Sequence, residues 1–316
     1  MDEARIAVVL EAGQGGPWLA LSLASLLRAA DGLAWELVAV LDAGAPAAAR
    51  EMLTAFGRQL APERFTLLEI PAGPAAVARN RGWQACRAPL VAFLAAGQRT
   101  EPLRLSLPVQ AFSQQESLAL LACGWQVEGI VHQPWAGSGD GSPQALLGQR
   151  DLLASCLSVR RGWLEQLGGF REDLPACSAL DLVIRLTAAG GQLAWLAESL
   201  LRCRRVDQLG SPVLAMERAW SHLHCCHGEG IRPVQLVQSR FAAMAWCAGL
   251  AWQQGEAEVA ADVLSRAAIL APLPVPRARM QVLEALSRSA RWCGVAAEPQ
   301  ALMAGPLWHH CLALWP

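Results

Sequence analysis

Two sets of polar residues in this chain are placed where chemistry can be done. Glu11 and Asp42 each stand at the end of a short apolar run, where a carboxylate faces a ligand or a turn rather than a core. The second set is His222, His224, Cys225, Cys226 and His227, the densest group of soft metal ligands. On a helix, His222 and Cys226 share a face at i, i+4, and His224 and His227 share one at i, i+3. Zinc needs three or four convergent ligands, and one helix face cannot present all five. The cluster therefore reads as structural unless the fold brings His309-His310-Cys311 to it.

The elements that must position these groups follow from hydrophobic periodicity. Ile6–Leu10, Trp35–Leu41, Phe65–Ile70 and Leu90–Leu94 read as buried strands. Trp18–Ala29, Pro46–Leu60 and Pro74–Cys86 read as the helices between them, the last with Pro near its first turn. This alternation predicts a mostly parallel α/β sheet covered on both faces. Ligands of such sheets bind beyond the carboxyl ends of the strands, which here carry Glu11, Asp42 and Ala95–Gly97. Further along, Ser117–Glu128 reads as a strand, Gly137–Ser142 as a loop and Ser158–Leu167 as a short helix. Ser178–Ala189 reads as a helix opened by a capping box between Ser178 and Asp181. Leu193–Leu196 and Leu200–Arg205 read as two short strands. From about residue 211 the pattern is helical. The pair flanking Gly255 is similar to one tetratricopeptide-type hairpin, a unit that cannot bury its own faces and must pack on what precedes it. The expected division is residues 1–210 and a helical extension over 211–316.

Composition removes several function classes. A 53% apolar and 17% charged chain of 316 residues is globular rather than disordered. A net charge of −1 provides no field for nucleic acid or an anionic membrane. No apolar run approaches the roughly 20 residues of a membrane span, and the start lacks a basic signal-peptide region. Ten scattered cysteines with no Cys-x-x-Cys pair read as reduced thiols, so a cytoplasmic location is expected. The chain has no Tyr or Lys and a single Asn, Asn80, a bias that G+C-rich codons explain.

The ordered motifs then resemble one family. Val8-Val9-Leu10-Glu11-Ala12-Gly13-Gln14 stands where family 2 glycosyltransferases carry a strand followed by Pro-Thr-Tyr-Asn. Asp42-Ala43-Gly44-Ala45 stands for Asp-Asp-Gly-Ser, and Ala78-Arg79-Asn80-x-Gly82 matches Ala-Arg-Asn-x-Gly outright. Leu167-Gly168-Gly169-Phe170-Arg171-Glu172 resembles Gly-Gly-Phe-Asp-Glu. The run from Ala176 to Leu186 is similar to the acceptor-site helix, commonly Glu-Asp-x-Asp-Leu-x-x-Arg. The resemblance spans residues 5–206 and implies the GT-A fold and transfer of a sugar from a nucleotide diphosphate to an acceptor.

That resemblance also shows what this chain lacks. The family's Asp-x-Asp holds Mn²⁺ or Mg²⁺ on the diphosphate, because hard cations need oxygen ligands and the metal neutralises the leaving group. Ala95 and Gly97 occupy those positions. The family's acid pair on the acceptor helix supplies the general base, worth about 10²–10⁴-fold; here stand Ser178 and Ala179. No metal cofactor is therefore expected, and no catalytic residue is assigned. Asp42 reads either as a nucleotide ligand or as a turn residue capping the next helix. Arg79 and Asn80 read as nucleotide contacts or, for Asn80, as a helix-to-sheet tether. Arg99 reads as an exposed loop cation or as a substitute for the metal on the diphosphate. Glu172 and Asp173 read as a solvated pair or as a displaced base, and Arg185 as a phosphate contact or the ion-pair partner of a neighbouring acid.

The reading is a degenerate glycosyltransferase, a pseudoenzyme of weak or no turnover, with a nucleotide sugar or glycan as ligand. One alternative is an active metal-independent transferase using Arg99 and Glu172 or Asp173. The other is a non-catalytic scaffold that meets a protein partner through its C-terminal helices.

Overall fold

The computed structural model describes residues 5–13, 17–133, 146, 152–174, 176–204, 213–229 and 231–316. The first half is the expected βα alternation. Strands β1 (Ile6–Glu11), β2 (Trp35–Asp42), β3 (Phe65–Ile70) and β4 (Leu90–Ala95) pair in parallel in the order β3-β2-β1-β4. Runs such as Ile-Ala-Val-Val-Leu are buried on both faces, as parallel strands require. Helices α1 (Pro17–Ala29) and α2 (Ala47–Gly57) cover one face, joining Val8, Leu10, Leu37 and Ala39 in one core. Helix α3 (Ala75–Ala85) covers the other, with Val9, Val40 and Phe93. Its approach is close because Gly82 has no side chain: a Cβ there would lie 2.2 Å from Val9 Cγ1.

The chain runs outward from β1 to β3, then returns to the far side of β1 as β4. Strand order thus reverses between β1 and β4, and the crevice beyond their carboxyl ends is the place such sheets keep for ligands.

Beyond β4 the sheet becomes mixed. It continues through β5 (Arg99–Thr100), β6 (Leu118–Val127), β7 (Ile130–His132), β8 (Leu157–Arg160) and β9 (Gln192–Cys203). β8 joins β4 and β6 antiparallel, and β9 runs parallel to β6. Helices α4 (Ser106–Gln114), α5 (Arg161–Leu167) and α6 (Ser178–Ala188) accompany these strands. Two expectations are corrected here. The segment expected as a helix from Ser158 begins as strand β8, because its backbone pairs with β4 on one side and β6 on the other while Leu157 and Val159 enter the core. The two short strands expected near 193–205 are one strand, β9, whose register slips beside Cys123, Gly124 and Trp125. Its polar Glu198-Ser199 falls at that irregularity, which is why the apolar pattern reads as broken. The loop expected at Gly137–Ser142 lies outside the described residues.

The remaining helices are α7 (Val213–His227), α8 (Pro233–Gln253), α9 (Ala257–Leu270), α10 (Val275–Trp292), α11 (Pro299–Met303) and α12 (Pro306–Leu314). Gly255, at φ +83°, makes the turn between α8 and α9. Trp292 of α10 meets Trp125 of β6 at 5.7 Å and Trp246 of α8 at 5.9 Å, both edge-on. Those contacts belong to one apolar core that runs from α1 across the sheet into the C-terminal helices.

Candidate functional site

Glu11, Asp42 and Ala95 end three neighbouring parallel strands, so they share the carboxyl edge of the sheet. Asp42 turns back on its own loop. Its Oδ1 accepts from the Gly44 N–H at 3.0 Å, and a Cβ on Gly13 would lie 2.1 Å from Oδ2. Glycine at position 13 thus lets the carboxylate lie against the first βα loop. The residue capping α2 is Pro46, with no side-chain bond, so Asp42 shapes its turn without capping that helix.

Glu11 and Ala95 are register partners, and their side chains leave the same face, the one covered by α3. Arg79 of α3 reaches this point. Its Nε donates to Glu11 Oε1 at 2.8 Å and its Nη1 to Ser178 Oγ at 3.1 Å. The guanidinium carbon lies 5.5 Å from the Phe170 ring centroid. With side-chain exposures of 16% and 12%, Arg79 and Glu11 form an internal clamp. Arg79 is thereby committed to a carboxylate and a hydroxyl of the protein. Ser178 and Ala179, at the start of α6, are both buried.

Asn80 is buried, and both ends of its amide are used. Nδ2 donates to Phe170 O at 2.7 Å and to Glu172 Oε1 at 2.9 Å. Oδ1 accepts from Trp83 Nε1 at 3.0 Å and from the Phe170 N–H at 2.8 Å. The amide fastens the 168–172 loop to α3, and Glu172 is held in that arrangement. Asp173 pairs with Arg171 through two oxygens at 3.0 and 2.6 Å, and Arg171 holds its carboxyl below the usual carboxylate range.

Asp181 corrects the capping-box expectation. The residue before α6 is Cys177 in a left-handed conformation, and no side chain caps the helix. Asp181 is fully buried and accepts from Arg185 Nε at 2.7 Å, with His227 Nε2 of α7 at 3.0 Å. Burial alone would raise its pKa; the bonds from His227 and Arg185 outweigh this and leave it lowered. Arg185 also donates to Leu167 O and Gly169 O, so it braces the Gly-Gly turn.

Around Ala95–Gln98 the backbone is pinned to α1. Gln98 Oε1 accepts from the Ala95 N–H, and Ser22 Oγ accepts from the Gly97 N–H and donates to Gln98 O at 2.7 Å. Gly97 stands at φ +91°, and a Cβ there would meet Trp18 Cβ at 3.7 Å and Arg204 Cδ at 4.0 Å. The Arg204 guanidinium carbon is 3.6 Å from the Trp18 ring centroid. Arg99 lies on the short edge strand β5, exposed, in register with Arg202. Sequence reasoning missed Arg204 and the Glu11–Arg79 pair; the only signal for the former was the basic run Arg202-Cys203-Arg204-Arg205 closing an apolar strand.

Among the described residues, no three His, Cys, Asp or Glu side chains converge as a metal site. His222 Nε2 meets Cys226 Sγ at 3.2 Å, whereas His224 bonds Trp220 O and Ser239 Oγ. His310 meets Ser265 and Ala261, away from that cluster. No helix among the described residues is long and apolar enough to cross a membrane.

Solved structures share this architecture as a whole. Staphylococcus aureus TarS 1–349 in complex with UDP superposes with a TM-score of 0.57 at 10% identity, covering 90% of each chain. The mannosyltransferase PcManGT of Pyrobaculum calidifontis, in complex with GDP-Man and Mn²⁺, gives 0.59 at 15% identity, covering 99% of this chain and 86% of its own. The chain has the GT-A glycosyltransferase fold. In sequence, the O-antigen biosynthesis protein RfbC of Myxococcus xanthus is 35% identical over 175 residues, which is 54% of this chain and 13% of RfbC. No family model matches the chain. Ala95, the last residue of β4, and Gly97, two residues on, carry no side-chain oxygen.

Proposed function

We propose that this GT-A chain is a degenerate family 2 glycosyltransferase that keeps nucleotide-sugar binding and has lost most or all turnover. One observation carries the reading: Arg79, already paired with Glu11, donates to Ser178 Oγ. In this reading the acceptor-helix position of the general base holds a neutral hydroxyl bonded to a cation. Neither Ser178 nor Ala179 has a basic oxygen to take a proton from an acceptor hydroxyl. The carboxylates near it are engaged: Glu172 by Asn80, Asp173 by Arg171, Asp181 by Arg185 and His227. What remains is a nucleotide site between Asp42 and the β4 end, without a carboxylate pair for a divalent metal. The process we assign is O-antigen biosynthesis, the one named for the Myxococcus relative. A cytoplasmic location belongs to the same reading, supported by ten cysteines all present as free thiols.

The test is a thermal-shift screen of UDP, GDP and their sugars with Mn²⁺ or with EDTA, alongside a nucleotide-release assay. At 100 times Kd, a ligand should add about 2.7 kcal/mol, visible as a rise of several degrees. Stabilisation without detectable release is the expected result. No stabilisation by any nucleotide, or Mn²⁺-dependent release at rates of about 1 s⁻¹ or more, refutes the proposal.

A further inference from the structure

A cation, Arg204, stands at the crevice between β1 and β4 with no anion beside it among the described residues. Arg204 follows β9 directly, and its Cδ lies 4.0 Å from where a Cβ on Gly97 would be. Its guanidinium is stacked on Trp18, which fixes the plane and dries one side while leaving the N–H edge available. No carboxylate among the described residues pairs with Arg204; Glu11 is taken by Arg79 and Asp42 by its own turn. Trp18 belongs to the first turn of α1. Arg204 is therefore parked near the positive end of a helix dipole, an arrangement that favours an anion between them. The strand order reverses at this same place.

The small side chains at the β4 end complete the geometry. Ala95, Ala96 and Gly97 project almost nothing, and their loop is held rigid by Ser22 and Gln98. Two carboxylates here would pair with Arg204 and cancel it. Their absence leaves the guanidinium for an incoming group with several oxygens in a plane, to which its fork of donors is matched.

We propose that Arg204, held on Trp18, binds the diphosphate of a nucleoside-diphosphate ligand directly, without a divalent metal between them. This rests on the nucleotide-binding reading above and replaces Arg99, the earlier candidate for that role. A guanidinium carries half the charge of a divalent ion but stays protonated at all working pH. Binding is then metal-independent, and it discriminates diphosphate from monophosphate.

The experiment is calorimetric titration of the full chain with UDP, GDP, UMP and GMP at 0.15 M salt, in EDTA and then in Mn²⁺. The wild type is expected to bind at least one diphosphate in EDTA, with no gain from Mn²⁺. Arg204→Ala should weaken that diphosphate by about tenfold or more, the scale of a lost charge-assisted bond, and barely alter the monophosphate. Arg204→Lys should recover part of the loss, and circular dichroism confirms that each variant is folded. Should Arg204→Ala not fold, Arg204→Gln, which keeps part of the aliphatic stem and removes the charge, makes the same comparison. Unchanged diphosphate affinity in the variant, or binding only with Mn²⁺, overturns the assignment to Arg204 while leaving nucleotide binding intact. Failure of the wild type to bind any nucleotide in either buffer defeats the nucleotide-binding reading itself, and this assignment with it.

Discussion

Replacing Asn80 with Ala tests whether the Ala-Arg-Asn-x-Gly stretch is kept for architecture. The substitution removes four hydrogen bonds at a position 4% exposed. Three groups lose their partner in this site: the Phe170 N–H, the Phe170 carbonyl and the Trp83 indole N–H. An orphaned buried group costs about 1–3 kcal/mol. Allowing for partial relaxation of the 168–172 loop, Asn80→Ala should cost about 3–5 kcal/mol. Asn80→Asp separates the two ends of the amide. It keeps the acceptor for Phe170 and Trp83 but points a second oxygen at Phe170 O and the Glu172 carboxylate. Its cost should be large at pH 7 and shrink as pH falls through the carboxylate range, where protonation restores a donor. Urea unfolding followed by tryptophan fluorescence measures both, with slopes checked for equality so that midpoints report stability alone. An Asn80→Ala variant within about 0.5 kcal/mol of wild type, the scale of a neutral surface change, would show that the amide holds nothing and that its role must be sought in ligand binding.

Two further outcomes follow from the same geometry. The Asp181 pKa is lowered in the fold, so its contribution to stability is complete above the unfolded value near 3.9 and is lost as pH falls through the folded value. Asp181→Asn should therefore destabilise at pH 7, and the gap in urea midpoint should close as pH falls below the unfolded carboxylate value and through the lowered folded one; a gap independent of pH would dismiss the ion pairs as its cause. Gly82→Ala places a methyl 2.2 Å from Val9 Cγ1 and 3.2 Å from Val40 Cγ2. Overpacking α3 on the sheet should cost about 1–3 kcal/mol in the same assay, and a neutral or stabilised variant would mean that the helix shifts freely.

The βα half of the fold was legible because β1, β2 and β4 are buried on both faces and read as unbroken apolar runs between glycine and proline signals. Leu157–Arg160 was misread because four residues of strand running straight into a helix carry no period of their own. The side-chain pairs that build the site were much less legible than the strands that carry it. Glu11 and Arg79 are 68 residues apart, and Asp181 and His227 are 46 apart. Such pairs are made by the crossing of strands and helices, and nothing local in the chain announces them. Asp181 shows the cost of local reasoning: its spacing from Ser178 fits a capping box, but a fully buried carboxylate was taken by two stronger donors.

The edge-on meeting of Trp125, Trp292 and Trp246 has a consequence for how this protein can be cut or recombined. Trp125 belongs to the sheet, whereas Trp292 and Trp246 belong to the helices that follow. Separating the chain near residue 210 would strip an indole, and much of one sheet face, of its cover. A fragment ending there should aggregate rather than fold. The C-terminal helices are thus no exchangeable appendage, and any fusion that carries this fold into another context has to carry all of it.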